Sequence, residues 1–412
     1  MSKSFDENTD LLGYRAKWVF PVDRPPIENG IVICSGNSVH SVEPFNGQQC
    51  SGNVIDLGDV AIIPGMVNAH THLEFSDLTK PLGDPKAGFT NWMRTLNSHQ
   101  QSTTALSDSH KHASIQAGIA ESLAAGVVAI GEIATDTWSD LAYASDLCGV
   151  VFHEQRGNNP LEAFSKTNEV SAAVNQFDVP GWTSAVSPHA PYSTALTLFQ
   201  ALVSRAAKSK TRVAIHLAET LEEVEFIETG AGPFANMLNE MGISFQRSAG
   251  AINVGDYLKT LAQTEALIIH GNYLNVEELE FIAQHENLHL VFCPRTHSYF
   301  GHKEYPLRTM LDLKINVAVG TESRASNPDL NLFAELQQIA ATQPSVSPTE
   351  ILRMGTESGA KVLNLQKRFG TIATGKSIKL CMISNPQGIN KEQDLFHSNS
   401  VCIPLNSHPR EV

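Results

Sequence analysis

Two histidines separated by one threonine, His70 and His72 in "VNAHTHLE", form a pair equipped for chemistry. On an extended segment, residues two apart point the same way, so both imidazoles can meet one cation. Further on, His189 ("SPHAPYS"), His216 ("RVAIHLAET"), His270 ("ALIIHGNYL") and Glu322 ("INVAVGTES") each stand at or just past the end of a short apolar run. Imidazole nitrogens with one carboxylate suit zinc, iron or a similar divalent transition ion. Three histidines and one carboxylate leave room for a water, which loses its proton near neutral pH and becomes a nucleophile. The run ending in His189 offers no lysine that could be carboxylated to bridge two ions, so one metal is expected rather than two. His110, His112, His285 and His289 fall in helical or loop patterns and read as solvated. Arg295, His297 and His302 in "CPRTHSYFGH" are candidates for substrate contact, with a salt bridge at the rim as the alternative.

These side chains need a scaffold that brings distant segments together. Short runs rich in Val and Ile recur: "VAIIPGMVNAHTH", "AGVVAIGEIAT", "GVVFHEQ", "WTSAVSPHAPYS", "RVAIHLAET", "ALIIHGNYL", "HLVFCPRTH" and "INVAVGTES". Near-continuous apolar strands imply burial on both faces, as in a parallel sheet covered by helices. Helical patterns separate them. Ile115, Ile119 and Leu123 form one stripe that stops at Gly126, and Leu332, Phe333, Leu336 and Ile339 repeat it. Ser347, Pro348 and Glu350 predict an N-cap, a first helical residue and a capping box. Eight strand–helix units close into an α/β (β/α)8 TIM barrel over residues 61–364. Residues 1–60 and 365–412 carry short strands with Gly, Pro and Asn turns, as in "GIVICSGNSVHSV" and "FGTIATGKSIKLCMIS". Neither flank alone makes a stable sheet, so a small composite β-sandwich from both chain ends is expected. In such a barrel, chemistry belongs at the carboxyl ends of the strands, where chance would seldom place so many His and acid residues.

Composition narrows the partner. The chain has 412 residues, 42% of them hydrophobic, and a formal net charge of -14, which would repel phosphates. A small-molecule substrate is therefore expected, with no nucleic acid and no membrane; a homodimer is left open. No run nears the roughly 20 apolar residues of a membrane span, and "MSKSFDENTDLLG" lacks the features of a secretory signal. Six scattered cysteines without a C-x-x-C pair fit reduced thiols in a cytoplasm.

Taken in order, "PGMVNAHTHLE", "SPHAPYS", "HLAET", "IIHGNYL" and "GTESRASNPDLNLFAELQ" resemble the amidohydrolase superfamily, in its metal-dependent deaminase and chlorohydrolase branch. The resemblance runs through nearly the whole chain, to "FGTIATGKSIKL". It implies that His70, His72 and His216 bind the metal, that Glu219 in "HLAET" shuttles protons to the leaving nitrogen, and that His270 holds the water or the developing oxyanion. It gives His189 to the substrate, and to the acid at 322 both metal binding and acceptance of the water's proton. The expected activity is hydrolysis of a carbon–nitrogen bond other than a peptide bond: deamination of an amino-substituted heterocycle or nucleoside-like compound. Dechlorination or cyclic amide hydrolysis on the same site is the alternative. The family has Asp where Glu322 stands and usually Asp where Lys379 stands, and "CPRTHSYFGH" replaces a plainer Asn-rich segment, which suggests a different, anionic substrate group. Glu322 also motivates a contrasting reading, a metal-binding barrel that has lost catalysis and only binds ligand. If the site is active, shortening Glu322 to Asp is expected to keep or raise turnover.

Overall fold

Apolar runs buried on both faces can satisfy their backbone only by pairing with one another, and these pair in chain order. In the computed structural model, which describes residues 11–47, 53–104, 108–135, 146–243, 245 and 252–405, five strands come first. They are β1 (Leu11–Val19), β2 (Ile27–Ser35), β3 (Ser38–Pro44), β4 (Asn53–Asp56) and β5 (Ala61–Pro64). Next come β6 (Met66–Thr71), β7 (Val127–Ala134), β8 (Cys148–Gln155), β9 (Trp182–Pro188), β10 (Val213–Leu217), β11 (Ala266–His270), β12 (Leu288–Phe292) and β13 (Val317–Val319). The last two are β14 (Leu380–Ser384) and β15 (Val401–Leu405).

Strands β6 to β13 form one eight-stranded sheet in which each neighbour in sequence is a neighbour in space. A parallel bridge between Thr71 and Glu322 joins its two edges. There the amides of Thr321 and Glu322 donate to the His70 carbonyl at 3.0 and 3.2 Å, and the His72 amide donates to the Glu322 carbonyl at 3.4 Å. Gly320 permits this approach: a Cβ there would lie 2.8 Å from His70 Cβ and 2.9 Å from the His70 carbonyl oxygen. The eight expected strands and their closure into a barrel are thus present, with helices between them among the described residues. The helices Asp108–Ala124 and Leu332–Thr342 cover the two predicted stripes, and Gly126 takes the left-handed φ of 82° after the first. Ser347 and Glu350 form the capping box of helix Pro348–Arg353.

The first apolar run is not one strand but two. Ala61–Pro64 pairs with β1 and β14 in the sheet built by the chain ends, and the barrel strand starts only after Gly65. Periodicity cannot show a change of sheet, because both halves are buried throughout. The composite β-unit from both ends is a seven-stranded sheet, ordered β15-β14-β5-β1-β2-β3 with β4 on β1, around Tyr14, Val19, Val32, Ile62, Ile372 and Leu380.

Contacts divide the chain into two compact units, Met1–Val67 with Ser122–Ala129 and Leu332–Val412, and Asn68–Glu121 with Ile130–Asn331. All the candidate site residues belong to the second unit. Cys34, Cys148, Cys293, Cys381 and Cys402 are buried and form no disulfide, while Cys50 and the N-terminal ten residues lie outside the described residues. Among the described residues no helix is long and apolar enough to cross a membrane. His289 differs from its expected solvated state. It is buried within β12, with Nε2 at 3.4 Å from a Glu265 carboxylate oxygen, because a polar residue inside a short strand carries no local mark of its facing.

Candidate active site

The ends of β6, β10 and β13 bring four ligand groups to one point. One donor atom each from His70, His72, His216 and Glu322 lies within 4.8 Å of the others, and all four residues are buried. Around a tetrahedral ion with bonds of about 2.0–2.1 Å, donors stand about 3.3 Å apart. His72 Nε2 lies 3.4 Å from both His216 Nε2 and Glu322 Oε1, close to that spacing. His70 Nε2 and Glu322 Oε2 are nearer, at 2.5 Å, a hydrogen bond that ligation would replace. The rings are in the form that ligates. Burial lowers the pKa of His70 to about 3 and that of His216 to about 4, and holds His72 well below its usual value, so all three are neutral near pH 7. His216 Nδ1 lies 2.9 Å from the His189 carbonyl, to which it donates, leaving the Nε2 lone pair free to face the cluster. The Nδ1 atoms of His70 and His72 are buried without a hydrogen-bond partner among the described residues. The chemistry of this donor set fits one divalent metal.

The backbone is bent to aim these groups. Ala218, His270 and Glu322 all have φ in the left-handed region, at 54°, 72° and 57°, which non-glycine residues seldom adopt. Buried hydrogen bonds hold each bend. Asn68 Nδ2 donates to Thr321 Oγ1 at 2.7 Å, its Oδ1 accepts from the Thr321 amide at 3.1 Å, and Asn327 Nδ2 donates to the Thr321 carbonyl at 2.8 Å. The Glu223 carboxylate accepts from the amides of Ala218 and Glu219 at 3.1 and 2.8 Å, while Thr220 caps the helix Leu221–Thr229. Tyr305 donates its hydroxyl to the His270 carbonyl at 3.0 Å.

Glu219 therefore projects beside the cluster, its Oε1 at 3.4 Å from His270 Nε2, which in turn lies 3.8 Å from Glu322 Oε2. Burial, with the charges of Glu322 and Glu223, pushes the pKa of the Glu219 carboxyl well above the usual range. Burial also holds His270 and His189 well below their usual pKa, as neutral rings. His72, His189, His216, Glu219, His270 and Glu322 line one small cavity, of about 40 Å³, together with Phe75, Phe89, Trp92, Tyr192 and Phe300. His189 bonds Ser193 Oγ through Nδ1 at 2.5 Å.

The structure thus gathers His70, His72, His189, His216, Glu219, His270 and Glu322 in one place. It leaves Arg295 and His297 aside: neither is among the residues lining this cavity or the larger one beside it. Arg295 pairs with the Asp329 carboxylate at 2.5 Å, the rim salt bridge that was its alternative reading. His297 packs among the rings of Phe292, His302 and Tyr305, where burial lowers its pKa to about 4. The short helix Pro294–Tyr299 sets both directions, and a linear motif does not reveal which side of a helical turn faces a cavity.

Sequence reasoning missed Arg156, Glu154, Glu132 and Trp92. Arg156 lines both cavities, and Glu154 Oε1 lies 2.6 Å from its Nε. The signal was present, because "FHEQR" puts a polar cluster at the end of the third run, as at the other strand ends. Glu132, wholly buried in β7, accepts from the Leu73 amide at 2.9 and 3.1 Å and so braces the turn after His72. Trp92 comes from a helix, whose wall-forming role has no sequence signature.

Known proteins share the fold of this chain. An aminodeoxyfutalosine deaminase of Nitratiruptor is 27% identical over 347 residues, covering 81% of this chain and 82% of that protein. A 5-methylthioadenosine/S-adenosylhomocysteine deaminase of Moorella thermoacetica is 26% identical over 396 residues, covering 90% and 84%. Among solved structures, the Helicobacter pylori aminofutalosine deaminase in complex with methylthio-coformycin superposes with a TM-score of 0.79 at 22% identity, over 95% of this chain and 97% of that one. A zinc-bound adenosine deaminase from Xanthomonas campestris gives 0.74 at 21% identity, over 95% and 90%. The amidohydrolase family model matches residues 61–400, from the last strand before the barrel almost to the end of the closing sheet, and the chain belongs to the amidohydrolase family.

Proposed function

We propose that this protein is a single-metal aminohydrolase that releases ammonia from an amino-substituted purine nucleoside or a related heterocycle. The observation that carries the reading is Glu219, a buried carboxyl whose Oε1 stands 3.4 Å from His270 Nε2, beside three imidazoles and a carboxylate gathered for one ion; burial raises its pKa, which suits a proton donor. In this reading the barrel, whose strands run from Met66–Thr71 to Val317–Val319, carries the site, and His70, His72, His216 and Glu322 hold one ion, zinc in preference to iron. Such an ion, when bound, supplies a Lewis acid that makes water a nucleophile near neutral pH. The chain's own groups then manage the protons. Water adds to the ring carbon that bears the amine, and Glu322 accepts the proton the water gives up. His270 hydrogen-bonds the oxygen as charge develops on it. Glu219 passes its proton to the departing nitrogen, which leaves as ammonia. His189 contacts the ring, and Trp92 and Phe300, 5.1 Å apart, offer an aromatic wall for it.

The relatives named as deaminases of aminodeoxyfutalosine, methylthioadenosine, S-adenosylhomocysteine and adenosine support an adenine-like ring. The triazine hydrolases among the solved structures share the fold at 17% identity and keep dechlorination as the second reading. Against a purely ligand-binding barrel stands the reach of Glu322, whose two oxygens approach His70 and His72 despite the longer side chain. A small-molecule substrate and a cytoplasmic location complete the proposal.

The test is ammonia release by zinc-reconstituted protein over a panel of aminated purines, pyrimidines and their nucleosides, with chlorinated triazines alongside. Release of chloride alone would move the assignment to dechlorination. A fully metallated protein that turns over none of the panel would instead be a binding barrel.

A further inference from the structure

Beside the small cavity lies a larger one of about 600 Å³. Met93, Arg156, His189 and Tyr192 line both, so a ligand ring among the histidines could extend past them into the larger space. Most of its lining is apolar or neutral, including Met237, Leu238, Met241 and Ile243 together with the amides of Asn97, Asn158 and Asn159. Methionine and leucine adapt to apolar groups of varied shape, and side-chain amides serve neutral donors and acceptors.

Two charged side chains also line it, and neither favours an anion. Glu162 stands at the exposed edge, accepting from Asn159 Nδ2 at 3.1 Å. Arg156 is placed where an anionic arm would seek it, but its charge is already answered. Glu154 lies behind it with a side chain only 2% exposed, and its Oε1 is 2.6 Å from Arg156 Nε. The other oxygen, Oε2, is buried without a hydrogen-bond partner among the described residues, with His189 Nε2 3.8 Å away. A cation with a carboxylate fixed against it presents a dipole to the cavity, whose field falls off faster than that of a lone charge.

We propose that Glu154 is a specificity-determining residue: by compensating Arg156 at the junction of the two cavities, it makes the larger one select substrates with a bulky, uncharged extension over those with an anionic one. The inference rests on the proposed deaminase reading and adds the chemistry of the substrate's far end. Arg156 keeps its terminal N–H groups for neutral acceptors such as sugar hydroxyls or carbonyls. Glu154 does not line either cavity and acts through Arg156.

The experiment uses two adenosine derivatives with a thioether arm of equal length on the ribose, one ending in a carboxamide and the other in a carboxylate. Ammonia release by the full-length, zinc-reconstituted protein gives kcat/KM for each. The parent is expected to favour the carboxamide by about tenfold or more, equivalent to about 1.4 kcal/mol. Glu154→Gln should move the ratio toward the carboxylate by a similar factor, chiefly through KM, with metal content unchanged. Glu154→Asp, which draws the carboxylate back from Arg156, should move it the same way by less, and serves if the Gln variant does not fold. A parent that prefers the carboxylate, or a ratio unmoved in the folded variants, overturns the inference while leaving deamination standing. Failure of the parent to release ammonia from either compound or from adenosine overturns both.

Discussion

Glu322 offers the sharpest test, because the resemblance and the structure disagree about shortening it. A family that carries Asp here implies that Glu322→Asp keeps or raises turnover. The local geometry argues the reverse. The main chain at 322 is pinned: its amide donates to the His70 carbonyl at 3.2 Å, and its carbonyl accepts from Thr71 Oγ1 at 2.9 Å and from the His72 amide at 3.4 Å. With the backbone fixed, losing a methylene withdraws the carboxylate by up to about 1.5 Å, one carbon–carbon bond. The present oxygens lie 2.5 Å from His70 Nε2 and 3.4 Å from His72 Nε2. Those of Asp would then stand roughly 4 and roughly 5 Å away, beyond the donor spacing of about 3.3 Å that a tetrahedral ion requires. Metal affinity should fall by about tenfold or more, which is about 1.4 kcal/mol. Glu322→Gln keeps the length and loses the charge and the proton acceptor, so at full metal loading turnover should fall by about 10²-fold or more. Dialysis against graded chelator, followed by elemental analysis, measures the first effect. Steady-state ammonia release from equally metallated proteins measures the second. Parent-like affinity and rate in Glu322→Asp would refute the reach argument, and a parent-like rate in metallated Glu322→Gln would remove Glu322 as the base.

Four other outcomes are expected. His70→Ala and His216→Ala should each lose the ion after dialysis, and a full equivalent retained by either variant would break the ligand assignment. Glu219→Gln should keep the ion and lose about 10²-fold or more in turnover; loss of the metal along with the activity would make Glu219 a ligand instead. Because its pKa is raised and its protonated form is the active one, kcat/KM should decline as pH rises through that elevated value, and this limb should vanish from the residual activity of Glu219→Gln. Gly320→Ala places a Cβ 2.8 Å from that of His70, so thermal unfolding should show a loss of about 1–3 kcal/mol, with weaker metal binding.

Much of this protein was readable from local rules. Period-two alternation makes His70 and His72 neighbours, and runs of Val and Ile reveal doubly buried strands without reference to their partners. The parallel barrel then follows from strand–helix alternation, and its carboxyl ends collect His189, His216, His270 and Glu322 wherever they lie in the chain. What escaped the sequence depends on contacts between distant segments. Ala61–Pro64 joins the terminal sheet because β1 and β14 flank it, although its residues are as apolar as those of β6. Arg295 turns to Asp329 because a short helix carries it there, while Arg156 reaches both cavities from a strand end that drew no notice. Only the fold places Glu223 under the amides of Ala218 and Glu219, or Asn68 against Thr321. Residue type and spacing determined which groups could do chemistry. The tertiary structure decided which of them meet, because side-chain direction and burial are set by neighbours that the linear order keeps apart.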